Sequence, residues 1–195
     1  LTYRVICGTD SEEIPVSLEG NSDSFRMKLS FLPNGNCVIL PNINGRGYGF
    51  FKITEGESSG LWSVLRSSED EVLKGSLLIT LYENLRWKTI SPQGFREEML
   101  AYLPNESNSL LFSMALSYLG DCQRIFPSDS RPLEQVLWKI VTTNPVSQHR
   151  LQAFRLYRSI ADSEEAVQRL YTLWQERKAP KDCTLSESDY IGLSY

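Results

Sequence analysis

A single histidine, His149, stands in a chain of 195 residues. Zinc hydrolysis of the HExxH type needs two imidazoles one helical turn apart, so this chain cannot house it. The same scarcity excludes most Ser-His-Asp and Cys-His arrangements unless His149 is itself the base, and no GxSxG elbow occurs. His149 lies beside Gln148, Arg150 and Gln152 near a helix start after Pro145, and it reads as a surface or capping residue. Cysteine is sparse as well. Cys7, Cys37, Cys122 and Cys183 form no CxxC pair, which removes the zinc-ribbon and thioredoxin readings. Four separate thiols are the expectation, with Cys7 and Cys37 able to pair if the protein is exported.

Long apolar runs are missing too. None approaches the roughly 20 residues that cross a bilayer, and no basic-then-apolar leader is visible at Leu1. A soluble chain without a membrane segment is expected, and its localisation stays open. Positive charge is not in excess: Lys and Arg number 20 against 24 Asp and Glu, a net charge of -4. A protein built mainly to neutralise nucleic-acid phosphates needs the opposite balance. No phosphate loop occurs, because the glycines of Gly45 to Gly49 are followed by aromatics rather than by Lys-Ser/Thr. Nor does any sequence repeat at a fixed period.

The apolar residues that are present change period once. From Thr2 to Ile53 they alternate: Tyr3, Val5, Cys7; Ile14, Val16, Leu18; Phe25, Met27, Leu29, Phe31. Period two predicts half-buried strands, and Asn34-Gly35 predicts a tight hairpin before Cys37 to Leu40. The whole reads as an antiparallel meander. After Ile53 the spacing is helical, with Leu61, Trp62 and Leu65, then Leu73, Leu77, Leu81 and Leu85. Further helical segments follow over Phe95 to Leu103, Leu110 to Leu119, Leu133 to Val141, Leu151 to Ile160 and Val167 to Trp174. Pro92, Pro104, Pro127, Pro145 and Pro180 punctuate them. Ser68 with Glu71, Asp162 with Glu165, and Ser186 with Asp189 predict N-terminal caps.

The expected architecture is multi-domain α+β. Residues 1–55 form an antiparallel β-sandwich, incomplete at its N-terminal side because some five short strands fall short of seven. Residues 56–195 form an all-α antiparallel array, a HEAT- or ARM-like stack without sequence repeats. The boundary is read near Glu55 to Ser59, in EGESS. The start at Leu1 without Met and the stop at Tyr195 inside a helical pattern suggest a piece of a longer protein.

Four groups of residues invite a chemical reading. Glu12-Glu13, Glu97-Glu98 and Glu164-Glu165 are adjacent carboxylates, which on a helix diverge by about 100° and so do not converge on a substrate. Arg150, Arg155, Arg158 and Arg169 recur through two helices, as a solvated face or as a contact for a peptide carboxylate. Trp138, Tyr157 and Trp174 build either a core or a curved binding groove. The segment Arg46 to Ile53, RGYGFFKI, follows the signature strand of the RNA-recognition motif, which would make Tyr48 and Phe50 a base-stacking platform. The hairpins before it and the acidic balance oppose that reading.

Asn42-Ile43-Asn44 followed by Gly47-Tyr48 and Phe51-Lys52 resembles the strand that ends the β-sandwich domain of zinc aminopeptidases of the aminopeptidase-N type. Residues 71–90, EVLKGSLLITLYENLRWKTI, resemble the helix that opens that family's C-terminal helical domain, and residues 95–118, with Leu100, Leu103 and Glu106, resemble its next pair. The sequence departs from the pattern at Gly49 and in carrying Lys52 where arginine is usual. The resemblance implies a non-catalytic C-terminal part that supports and caps the active-site cleft of a gluzincin metallopeptidase and restricts peptide access. It implies zinc held by two histidines and a glutamate in an upstream catalytic domain, with no catalytic, cofactor or metal residue in this chain. The partners it implies are that catalytic domain and a peptide substrate. A stand-alone helical-array interaction module is the second expectation.

Overall fold

The computed structural model describes residues 1–17, 28–33, 37–47, 49–180 and 183–194. Three strands come first: β1 (Thr2–Cys7), β2 (Asp10–Pro15) and β3 (Cys37–Leu40). β1 and β2 are antiparallel, from Thr2 opposite Pro15 to Cys7 opposite Asp10. Their two-residue turn starts at Gly8, whose φ of +64° is the backbone such a hairpin requires and a Cβ resists. β3 pairs antiparallel with the other edge of β1, from Arg4 opposite Leu40 to Cys7 opposite Cys37. The strand order is β2-β1-β3, not the chain order of a meander. Val5 and Cys7 are buried on central β1, while the acidic DSEEIP of β2 lies at an edge, where charge discourages further pairing.

Cys7 and Cys37 are joined by a disulfide, while Cys122 and Cys183 are free and buried. Four separate thiols is therefore corrected. The register explains the bond, because directly opposed residues of an antiparallel pair bring their Cβ atoms within about 5 Å. The alternating run expected over Phe25 to Phe31 lies partly outside the described residues, and its described part, within 28–33, forms no strand. The Asn34-Gly35 turn also lies outside them. The expected β-sandwich is represented by one three-stranded sheet, with no second sheet among the described residues.

From Glu55 onward the described residues are mostly helical, giving an α+β chain dominated by helix. The helices are α1 (Glu55–Ser67), α2 (Glu71–Arg86), α3 (Pro92–Tyr102), α4 (Ser109–Ile125), α5 (Arg131–Thr143), α6 (Ser147–Ile160), α7 (Glu164–Glu176) and α8 (Glu187–Ile191), with a 3₁₀ turn at Leu103–Asn105. EGESS is thus the first turn of α1 and not a linker. Thr54 and Glu57 make a reciprocal capping box there, which satisfies two orphan donors and sets the helix start. Asp70, rather than Ser68 with Glu71, caps α2 by accepting from Val72 and Leu73 N–H. Ser163, one residue past Asp162, caps α7. Ser186 and Asp189 form the expected box on α8.

Two compact units divide the chain, Leu1–Phe95 and Arg96–Tyr195. In the first, Leu61, Trp62 and Leu65 of α1 and Leu73, Leu77, Leu78, Leu81 and Leu85 of α2 are buried, each aliphatic one contributing about 1.5–3 kcal/mol. α1 also packs on β3. A Cβ at Gly60 would lie 2.6 Å from Val38 Cγ2, so only glycine permits that approach. In the second unit α6 packs against both α4 and α5, burying Phe112, Leu119, Leu137, Val141, Phe154 and Tyr157. Prolines mark the joints as expected, with Pro92 opening α3 and Pro104 inside the 3₁₀ turn.

Candidate functional site

Asn42 and Asn84 organise the segment that carries the family resemblance. Asn42 donates from Nδ2 to Gly47 O at 3.1 Å and accepts from Gly47 N–H at 2.6 Å. Its carbonyl accepts from Ser76 Oγ of α2 at 2.7 Å, and neighbouring Ile43 N–H donates to Thr2 O of β1 at 3.1 Å. At Phe51 and Ile53, Asn84 of α2 takes over. Fully buried, it donates from Nδ2 to Phe51 O and Thr80 O, both at 2.8 Å. Its Oδ1 accepts from Ile53 N–H at 2.9 Å and from Thr89 Oγ at 2.6 Å. Every donor and acceptor of that buried amide is satisfied. The segment is therefore tied to β1 and α2 at one end and to α2 again at the other. Ser76, Thr80 and Asn84, four residues apart beside the leucines at 73, 77, 81 and 85, are the sequence signal for this polar line on α2.

None of the described residues of 46–53 is in a strand, so the strand read from the alternation there is corrected. Tyr48 lies outside the described residues. Phe50 is 43% exposed, with its ring 5.8 Å from that of Trp87.

His149 is not on the surface. It has no exposed area, lies flat on Phe112 with ring centroids 3.9 Å apart, and meets Ser109 Oγ through Nε2 at 3.0 Å. Burial pushes its pKa down, partly opposed by the field of Glu106, so the ring is held neutral. A Ser-His pair can activate a nucleophile when a third group orients the imidazole through its other nitrogen. Here Nδ1 finds no hydrogen-bond partner among the described residues. Glu106, the nearby acid, accepts instead from Tyr102 Oη and from Asn108 N–H. The pair ties α4 to α6 and lacks the orienting acid of a catalytic triad.

The arginines are engaged inside the second unit. Arg155 binds the buried carboxylate of Asp189 through Nε at 2.9 Å, and Arg158 donates to the Asp189 carbonyl at 3.0 Å. Ser186 Oγ and N–H donate to the same carboxylate at 2.7 and 3.0 Å. The Arg155 bond leads in holding the Asp189 pKa down at about 2, against the effect of burial. Arg150 donates to Asn144 O. Arg169 donates to Tyr157 Oη at 3.0 Å and to Glu165 at 2.5 Å, and covers the Trp138 ring at 4.5 Å. Arg155 and Arg158 dock α8 on α6, Arg169 docks α7 on it, and Arg150 holds the end of α5, rather than the four forming a solvated stripe.

Glu12 and Glu13 lie on strand β2 rather than on a helix, and engage separate partners: Glu12 accepts from Ser30 and Glu13 pairs with Arg4. Glu134 was missed by the sequence reading. Buried on α5, it accepts from Ser130, from Asp162 N–H and from Ser163, seating the start of α7. Burial raises its pKa, and these bonds together outweigh that and lower it.

Two clefts flank α7. One, of about 420 Å³, is lined by Arg131, Glu134, Gln135 and Arg169 among others, with Arg169 paired to Glu165 and Arg131 to Asp129. The other, of about 390 Å³, is floored by Trp138 and Leu173. Tyr157 is core, but Trp174 is 39% exposed. Among the described residues no three His, Cys, Asp or Glu side chains are grouped to hold a metal, and no helix is long and apolar enough to cross a membrane. The residues present do not fit a zinc site.

No family model matches the chain, and neither a curated protein nor a solved structure matches it. Residue geometry is what bears on its role. The feature it leaves open is α7, which buries only Ala166 and presents Val167 at 51% and Tyr171 at 50% exposure.

Proposed function

We propose that this chain is the non-catalytic C-terminal part of a zinc aminopeptidase-like protein, supporting and capping the active-site cleft and restricting which peptides enter. The observation that carries this reading is the junction built by Asn42 and Asn84. Residues of the resemblance, Asn42 to Gly47, Phe51 and helix α2 within 71–90, are among those that join the sheet to the first helices. A support needs such a joint to be stiff, and two satisfied asparagine side chains make it so. In this reading the β-sheet belongs to a sandwich, and the helices belong to an antiparallel array that arches over a cleft. The zinc and its ligands lie in an upstream domain, and this chain contributes shape and support.

The test uses the reading frame that encodes the chain and its intact product. The expected outcome is an HExxH motif with a glutamate on the following helix upstream of Leu1, and aminoacyl-anilide hydrolysis by the intact product that chelation abolishes. The 195-residue chain by itself should hydrolyse nothing. A frame without the motif, or an intact product without chelator-sensitive activity, overturns the reading. The half-exposed aromatic face of α7 favours a second one, a helical-array interaction module. Its mark is a protein partner retained by the isolated chain.

A further inference from the structure

We infer that Cys37 is a site of reversible S-thiolation, at which a small thiol opens the Cys7–Cys37 bond and releases β3 from β1. The two sulfurs of this bond are placed differently. Cys7 is 1% exposed on the central strand, whereas Cys37 is exposed on the edge strand β3. Thiol–disulfide exchange needs the attacking thiolate in line with the bond it breaks, so access from the far side of each sulfur decides which one reacts. Cys7 and Cys37 oppose each other across the ladder, and the bond therefore spans from β1 to β3. Behind Cys7 lies β2, with Asp10 directly opposite. Beyond β3 the described residues form no further strand. There Cys37 lines an open cleft of about 280 Å³, together with Ile39 and with Gly56, Glu57 and Ser59 of α1. Such a cleft is smaller than a drug-sized ligand needs and suits a thiol of a few carbons.

In the exchange step the thiolate forms a bond to Cys37 Sγ while the Cys7–Cys37 bond breaks. Cys7 leaves with the electron pair and takes a proton from water. The product is a mixed disulfide on Cys37 and a thiol at Cys7, with no net oxidation or reduction. Cys7, held opposite by the β1–β3 register, can reverse the step, so the concentration of the small thiol sets the population. Charge selects among thiols. Asp10 and Glu12 pair with Cys7 and Val5 and so share the face of the disulfide, and Glu57 lines the cleft. Against these carboxylates stands Lys28, exposed two residues before the Ser30 that bonds Glu12. The balance is negative and favours a cationic thiol over an anionic one. β3 is four residues long, so the covalent bond is a large part of its hold on β1.

The test treats the native 195-residue chain with cysteamine, quenches with acid and maps the adducts by mass spectrometry. The expected result is one cysteamine on Cys37, formed at a rate first order in cysteamine. Amide exchange over Cys37–Leu40 should accelerate with it while α2 stays protected. At equal thiolate concentration, 2-mercaptoethanesulfonate should react about threefold more slowly, with the gap closing in about 1 M salt. Two variants read access without reclosure of the bond. Cys37 of Cys7→Ser should react with cystamine at least about a hundredfold faster than Cys7 of Cys37→Ser, because a buried thiol reacts only on local opening. An adduct on Cys7, or a rate independent of cysteamine because the bond opens only on unfolding, overturns the site. So does a Cys37 that reacts no faster in the first variant than Cys7 does in the second. An adduct on Cys37 that leaves amide exchange over β3 unchanged overturns the release of the strand, and a faster anionic thiol overturns the charge selection.

Discussion

Asn84 and His149 are both fully buried polar side chains, yet their surroundings differ in a way that measurements distinguish. Asn84→Ala leaves Phe51 O and Ile53 N–H without their partners and opens a cavity. The expected loss is about 3 kcal/mol, since each unsatisfied buried group costs about 1–3 kcal/mol, read from chemical denaturation with the slope unchanged. His149 responds to pH instead. Its folded pKa is lowered by burial, so below the ordinary value of about 6.5 the unfolded chain binds the proton first. Stability is present in full above that pH and falls as acid is added. An NMR titration should place the midpoint of the ring below 6.5, and a midpoint above it would contradict the neutral stacked ring. The sequence could count one histidine but could not place it. Lying flat on Phe112, 37 residues earlier, depends on how α4 and α6 pack.

At the scale of an element, α8 is the informative case. Five residues are too few to stand as a helix in water, and α8 persists because its Asp189 caps it and binds Arg155. With the folded pKa held at about 2, below the ordinary carboxylate value, the stabilisation is complete above about pH 4 and is lost as pH falls through about 2. We expect amide exchange over Glu187–Ile191 to accelerate in that window, while α6 stays protected. Arg155→Ala should bring the same loss near neutral pH, by about 1–2 kcal/mol given that this arginine is half exposed. Helix positions were legible from apolar spacing and proline, because both act locally. Caps were harder to place. Asp70 and Ser163 each lie within two residues of the expected capping serine or aspartate, and several short polar side chains in a row can all accept the same N–H bonds. The inward face of α7 was legible only in part. Val167, Tyr171 and Trp174 form one stripe and Ala166, Leu170 and Leu173 another, and apolar spacing alone does not say which of two stripes meets the core.

For the whole molecule, the disulfide and the division into two units make one joint prediction. Cys7 and Cys37 close a loop of 30 residues, and such a closure contributes about 3–4 kcal/mol through the unfolded chain. Thiol titration in denaturant should find two reactive cysteines before reduction and four after. Reduction should lower the stability of Leu1–Phe95 by about that amount and leave the unfolding of Arg96–Tyr195 in place, so that two transitions separate where one was broad. A single transition shifted as a whole would show the units to be coupled. By itself the sequence determined the change from strand to helix near Ile53, the helix joints at the prolines and the exclusion of an HExxH site, because periodicity, backbone geometry and residue counts need no partner. Tertiary structure alone decided that β1 lies between β2 and β3, that Cys7 faces Cys37, that Asn84 anchors the segment before α1, and that Arg155 and Arg158 hold α8. Each of these joins residues about 30 positions apart, and contacts of that separation are set by how whole elements pack, which no local pattern encodes.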